Sequence, residues 1–420
     1  MSLPVLARGF GASCLVMVGL GAAACGRSSS PTTPTATPAQ PTATTTTAAT
    51  TTIPTTVIPT TGIPACPGVG TPLFDALPIA AGDFLAFRPL GFLSTPIHMF
   101  PAKHSAFSMT LPGATPMRVP VRSPGRAWIK EIWEASFSSG GQNYQLYLYP
   151  CSDVRVYMGH VATISEKLMT EMRRVPPSCG SFADGTGTVT ICRHENLAVS
   201  LESGEQIGTG PDTAGIDFGL VDFRLPPAGF IRIEHYDYFY PFWAAPLEYF
   251  TAEARTMLAA KTGSVYGSPV RTATPIGGTH MQDVAGTAQG NWFPPGVYHK
   301  NSTDLSPMLA LASDYVNPSQ PIMAIGNSIR CVSMGLYSYA VELQGFVNRA
   351  FRSIVPDGNV YCFDRFLRDR TTGGLSLGQP PGVLLMAMPN GTTLRVELAA
   401  ASTCAASSRT LTANATTFER

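Results

Sequence analysis

Charge is what this chain has least of. Only 13% of its 420 residues are Asp, Glu, Lys or Arg, and 28 basic against 27 acidic side chains leave a net charge of +1. Holding nucleic acid requires a basic field that replaces phosphate counterions, so no nucleic-acid partner is expected. No CxxC pair occurs among the nine cysteines, which removes zinc-ribbon and thioredoxin-type readings. Long runs at helical spacing are scarce. Abundant instead are 40 glycines, 37 prolines and short stretches in which apolar and polar residues alternate. The expected class is mainly β, rich in turns.

The first 25 residues hold one early Arg8, an apolar run and small residues before Cys25. This is the pattern of an export leader, too short and too soon interrupted for a permanent membrane helix. The stretch "LGAAAC" resembles a bacterial lipoprotein signal, although Ala22 stands where leucine is usual. That resemblance implies lipidation of Cys25 and a membrane anchor there; the alternative is a plain secretory signal cut near the alanines. Residues 26–64 are nearly all Thr, Pro, Ala and Ser, a composition that buries no apolar surface and favours extended backbone. They read as a stalk that holds a folded body off a membrane or wall.

Beyond the stalk we expect a β domain over 65–224, an aromatic and helical connector over 225–265, a second β domain over 266–406 and a disordered tail over 407–420. "RAWIKEIWEAS" and "YQLYLYPC" alternate around the turn "SSGGQN", and "GTVTICRHENLAVSL" supplies one or two more strands. Val161, Ile164, Leu168 and Met172 recur at helical spacing and predict a short helix. A second follows in "PLEYFTAEARTMLAAKTGS", with Lys261 and Gly263 as its stop. Asp357-Gly358 and Asn390-Gly391 predict hairpins, because both pairs tolerate the positive φ of tight turns. The second domain then reads as a small sandwich or barrel. The aromatic run "HYDYFYPFW" reads as a packing patch between domains, with a sugar platform as the alternative. Seven cysteines follow Cys25, and proximity along the chain suggests Cys179 with Cys192 and Cys362 with Cys404 as disulfides, in keeping with export.

Three segments carry a resemblance. "HSAFSMTLPGATPMRVPV" opens with His104, "VYMGHVATI" contains His160, and "LESGEQIGTGPDTAGIDFGLVD" closes on Asp217 and Phe218. In this order they resemble the lysostaphin-type zinc metallopeptidases, which cleave peptidoglycan cross-links on an antiparallel β scaffold, over about Pro89 to Asp222. The resemblance implies that His104 matches a zinc ligand and His160 a catalytic histidine. It places Ser108 where a ligand aspartate belongs, and Gly215 and Asp217 where a His-x-His pair belongs.

Catalytic zinc needs three protein ligands and an open position for water. His104 and Asp217 alone fall short, and serine and glycine do not repair the set. Neither His98, which precedes the motif, nor His194, in an expected strand, has the spacing to rescue it. The resulting expectation is an exported, lipid-anchored envelope protein whose peptidase-like domain binds rather than cuts. It would hold no cofactor, and its partner would be peptidoglycan or another envelope protein. An active hydrolase using zinc on His104, His160 and Asp217 is the first alternative, and a purely structural surface protein the second. His160 alone could equally satisfy a backbone carbonyl in the core. His280, Asp283 and Trp292 lie in a loop-rich stretch, the first two expected in solvent and Trp292 in packing.

Overall fold

The structure is a computed structural model that describes residues 62–111, 114–115, 117–183, 188–302, 304–368 and 377–420. The leader, Cys25 and nearly all of the stalk lie outside the described residues. Residues 53–420 belong to one compact unit.

Alternation in the sequence becomes a nine-stranded antiparallel sheet. Its order is Ala86–Arg88, Ser105–Ser108, Gly215–Asp222, Val154–Val161, Gln142–Cys151, Ala127–Phe137, Thr188–Leu201 and Ser178–Ala183, with Trp243–Ala244 added beside Gly215–Asp222. "RAWIKEIWEAS" and "YQLYLYPC" pair as a hairpin, and "GTVTICRHENLAVSL" forms one long strand. On one face Ile129, Ile132, Leu146, Leu148, Val156 and Phe218 are fully buried. Burying each such side chain contributes about 1.5–3 kcal/mol. A three-stranded sheet of Val119–Arg122, Gln206–Gly210 and Thr163–Ile164 adds Val121 and Ile207 to this core.

The helical spacing from Val161 to Met172 was only half helix. The helix runs Glu166–Arg173 and buries Leu168 and Met172, whereas Val161 and Ile164 end and form strands. Apolar residues three and four apart satisfy either reading when a strand turns directly into a helix. The second helix, Ala252–Ala259, ends before Lys261, and the Lys261 ammonium reaches back to the carbonyls of Ala81 and Phe84.

The C-terminal half holds two four-stranded antiparallel sheets. One is Gly290–Trp292, Leu309–Ser313, Pro321–Ile325 and Gly335–Tyr337; the other is Tyr361–Phe363, Val383–Asn390, Thr393–Ala399 and Thr416–Glu419. They share a core that includes Trp292, Met323, Tyr339, Phe363, Met386 and Phe418, and no barrel closes. Asn390 and Thr393 flank a hairpin turn. The Asp357-Gly358 expectation is corrected: Gly358 does take a positive φ of 80°, but Phe351–Ser353 before it is a short 3₁₀ turn rather than a strand. The Asp357 side chain is committed to Asn359 N–H and the Tyr361 hydroxyl, which makes a local loop.

The disordered tail is also corrected. Thr416–Glu419 pairs with Thr393–Ala399, Phe418 is fully buried and Arg420 is 1% exposed. Polar composition concealed a single apolar anchor, Phe418, two residues before a buried cation.

Three disulfides close within the described residues. Cys179–Cys192 and Cys362–Cys404 are joined by Cys66–Cys151, which spans 85 residues of sequence. Sequence proximity could not find the last, because it joins a loop residue to a strand end 85 positions further on. Disulfides of this kind are compatible with an exported protein. No described helix is long and apolar enough to cross a membrane.

The aromatic run packs. Phe230, Tyr236 and Tyr240 share a core cluster with Phe100, Phe293, Met308 and Leu336, tying early and late parts of the chain together. His280 and Asp283 are not solvated, which corrects the loop expectation. His280 is 2% exposed with Nε2 3.0 Å from the Tyr240 carbonyl, and Asp283 accepts the N–H groups of Ile231 and Asn291. Trp292 is fully buried and donates to the Ala288 carbonyl.

Candidate functional site

Strand register assembles the site. Gly215–Asp222 lies between Ser105–Ser108 and Val154–Val161, with Asp217 opposite both Ala106 and Gly159 and Gly215 opposite Ser108. Two residues apart, Gly215 and Asp217 face the same side. His104 enters from just ahead of Ser105, and His160 from the end of its own strand.

The three residues separated by more than a hundred positions converge. His104 Nδ1 lies 3.6 Å from Asp217 Oδ1, and His160 Nε2 lies 3.5 Å from Asp217 Oδ2. Tyr157 aims its hydroxyl at the same carboxylate from 3.4 Å. His160 Nδ1 faces Asp212 Oδ1 at 3.6 Å, and Asp212 accepts from Asn143 Nδ2 at 2.6 Å. His160 also holds φ at 61°, a left-handed conformation that costs a non-glycine residue free energy.

Glycines make the room. A Cβ at Gly219 would lie 2.4 Å from the Trp243 ring and 3.0 Å from His104 Cβ. A Cβ at Gly159 would meet the Tyr157 hydroxyl at 2.3 Å. These two positions, with Tyr157 and Asp212, are site residues that the sequence reading missed, and His98, which it set aside, lies beside His104. Their signal was weak, because a glycine in a strand marks close approach without saying of what.

Electrostatics follow from burial. Burial pushes His98 well below the ordinary imidazole range and His104 below it, the latter partly restored by Asp217. His160 is also penalised by burial, but Asp217 and Asp212 outweigh this and raise it. Burial would raise Asp217, yet His104, His160, His98 and Arg88 together hold it below the usual carboxylate range. Burial pushes the Tyr157 phenol up, so it stays a hydrogen-bond donor. The arrangement is an ionised carboxylate held by two imidazoles and a phenol.

No protein-family model, curated protein or solved structure matches this chain. Its chemistry is therefore judged from its own residues.

His104 Nδ1, the nitrogen beside Asp217, is 3.0 Å from the Ser105 carbonyl, so that nitrogen carries the proton in that bond and the lone pair is on Nε2. Among the described residues no three His, Cys, Asp or Glu side chains are grouped to hold a metal ion.

Gly215 has no space for a side chain either. A Cβ there would lie 2.4 Å from the Phe107 carbonyl oxygen, a backbone atom that moves only with its strand. Gly215→Ala is expected to destabilise by about 1–3 kcal/mol, as overpacking does, and Gly215→His by more. Urea unfolding of the variants against wild type checks this; an unchanged midpoint would show that the strand yields.

Ser108 sits in a strand, 4% exposed, and pairs through its backbone with Ala86 and Gly215. His194 sits in the strand Thr188–Leu201 with Nδ1 3.0 Å from the Val175 carbonyl, away from the cluster. A cavity of about 440 Å³ lined by residues including Leu73, Asp75, Arg126 and Glu202 lies elsewhere and includes none of the cluster. The chemistry is in the His–Asp recess, so we place the site there.

Proposed function

We propose that this is an exported cell-envelope protein whose peptidase-like domain binds an envelope ligand without cutting it, anchored by a lipid on Cys25. Peptidoglycan is the ligand that the resemblance favours, and another envelope protein is the alternative. The leader-like start, the Thr/Pro stalk and the three disulfides support export. One observation carries the non-cleaving reading. The groups a hydrolase would turn towards water are turned towards each other, with Asp217 engaged by His104, His160 and Tyr157.

Pelleting the full-length mature protein with purified peptidoglycan tests this. The expected result is saturable co-sedimentation, no release of soluble wall peptides, and no change when zinc is added. Release of wall peptides that needs both zinc and His104 would establish the hydrolase instead. Absence of co-sedimentation would favour a structural spacer.

A further inference from the structure

Arg88 stands beside the same cluster. It ends the strand Ala86–Arg88, and its guanidinium lies 3.8 Å above the centre of the Phe92 ring. Its Nε is buried without a hydrogen-bond partner, and no ion pair links the guanidinium to a described residue. A planar cation with five N–H donors is costly to withdraw from water unless an anion or carbonyls meet it. Stacking on an aromatic face returns only part of that cost.

Other groups converge on the same ring. His98 and His104 lie edge-on to Phe92 with centroids at 5.0 and 5.4 Å, and Tyr315 at 6.2 Å. His98 is half-buried on the turn Ser94–His98, whose ends are tied by paired backbone hydrogen bonds of 3.2 and 2.7 Å. Beside it Ile97 is 75% exposed and gives this edge an apolar lip. Arg88 feels the Tyr315 hydroxyl and the Asp217 carboxylate, and Asp217 is already held between His104 and His160 at 3.6 and 3.5 Å. The Nε of Arg88, one donor of its fork, is thus left without a partner among the described residues.

We infer that Arg88 and His98, over the Phe92 ring, form a subsite for a ligand carboxylate. The fork takes the two oxygens side by side, the geometry in which arginine is superior to lysine. A neutral His98 can donate one further N–H, and Ile97 contacts the apolar neighbour of the carboxyl group. The carboxylate belongs either to a small free acid or to a peptide C-terminus. This inference rests on reading the recess as a binding site.

Calorimetric titration of the full-length mature protein tests it with three probes: a tripeptide with a free C-terminal carboxylate, the same tripeptide amidated, and acetate. The expected result is that the free acid binds at least tenfold tighter than the amide. Arg88→Ala should erase that preference, and Arg88→Lys, which keeps charge but loses the fork, should retain only part of it. Acetate competing with the tripeptide supports a small acid as sufficient ligand; its failure to compete, with the tripeptide still bound, supports a peptide terminus. Equal binding of acid and amide, no binding of any probe, or a preference unchanged in Arg88→Ala overturns the inference. Thermal melts of both variants establish that they are folded, and Arg88→Lys decides the matter if Arg88→Ala is not. Peptidoglycan pelleting separates the two proposals, because co-sedimentation without acid preference leaves the envelope reading standing and sinks only the subsite.

Discussion

Arg420→Ala is expected to lower the unfolding free energy by about 3–5 kcal/mol, the usual effect of removing one member of a buried charged network. The guanidinium donates to the carbonyls of Gln289 at 2.7 Å and Val284 at 3.1 Å, and to that of Thr287. It also lies 4.2 Å over the ring of the fully buried Trp292. Burial lowers its pKa to about 10, with Asp283 and Tyr236 opposing the fall, so it stays charged near neutrality. Truncation would leave the Thr287 carbonyl without a donor, open a cavity on Trp292 and strip Asp283 of its neighbouring cation, while the Val284 and Gln289 carbonyls keep their other donors. Each unpaired buried polar group costs about 1–3 kcal/mol. Arg420→Lys keeps the charge but cannot reach three carbonyls at once, so an intermediate loss is expected. Denaturant unfolding of both variants gives the values. A loss under about 1 kcal/mol for alanine would mean that water replaces the guanidinium.

Acid should destabilise the protein through His280. Its ring lies between Phe230 and Tyr240 at centroid distances of 5.3 and 5.5 Å, and burial lowers its pKa to about 4, with the nearby Lys103 cation acting in the same direction. Unfolded, the same imidazole takes a proton near pH 6.5. Between these values the unfolded state holds more protons, so stability falls as pH drops from about 6.5 to about 4 and then levels off. The loss from this group is roughly 2–3 kcal/mol at pH 4. His299, also lowered to about 4 by burial, acts in the same sense. His280→Gln supplies an amide donor for the Tyr240 carbonyl and does not titrate. Unfolding free energies at pH 7 and pH 4 should therefore differ less in that variant. An identical pH slope in variant and wild type would remove His280 from the account.

Both predictions concern residues that the sequence reading set in solvent or in a disordered tail, and the reason is common to them. His280 lies in a stretch of glycine, threonine and glutamine, and Arg420 ends a run of small polar residues. Local composition says that such segments cannot build a core of their own. It is silent on whether a core built elsewhere has a place for one of their side chains. Phe230 and Tyr240 made the place for His280, and Trp292 that for Arg420, through contacts between segments far apart in the chain.

The candidate site divides in the same way. His104, His160 and Asp217 were singled out by the family resemblance of the three segments that hold them, and the structure brings the three side chains together. Their meeting depended on Gly215–Asp222 inserting between two strands from earlier in the chain. Tyr157, Asp212, Gly159 and Arg88 carry no motif, since a tyrosine or arginine in an alternating strand reads as surface. What each does follows from its cross-strand neighbour, and register is a tertiary property.

By itself the sequence determined the β class and the Asn390-Gly391 hairpin. These follow from composition, from period-two alternation and from the positive φ that the turn pair tolerates. Only the tertiary structure decided that His104 gives its Nδ1 proton to a backbone carbonyl, that Gly215 faces a carbonyl too near for any Cβ, and that the Nε of Arg88 is buried without a hydrogen-bond partner. Such facts depend on distances of a few ångströms between segments far apart in the chain, which no local pattern encodes.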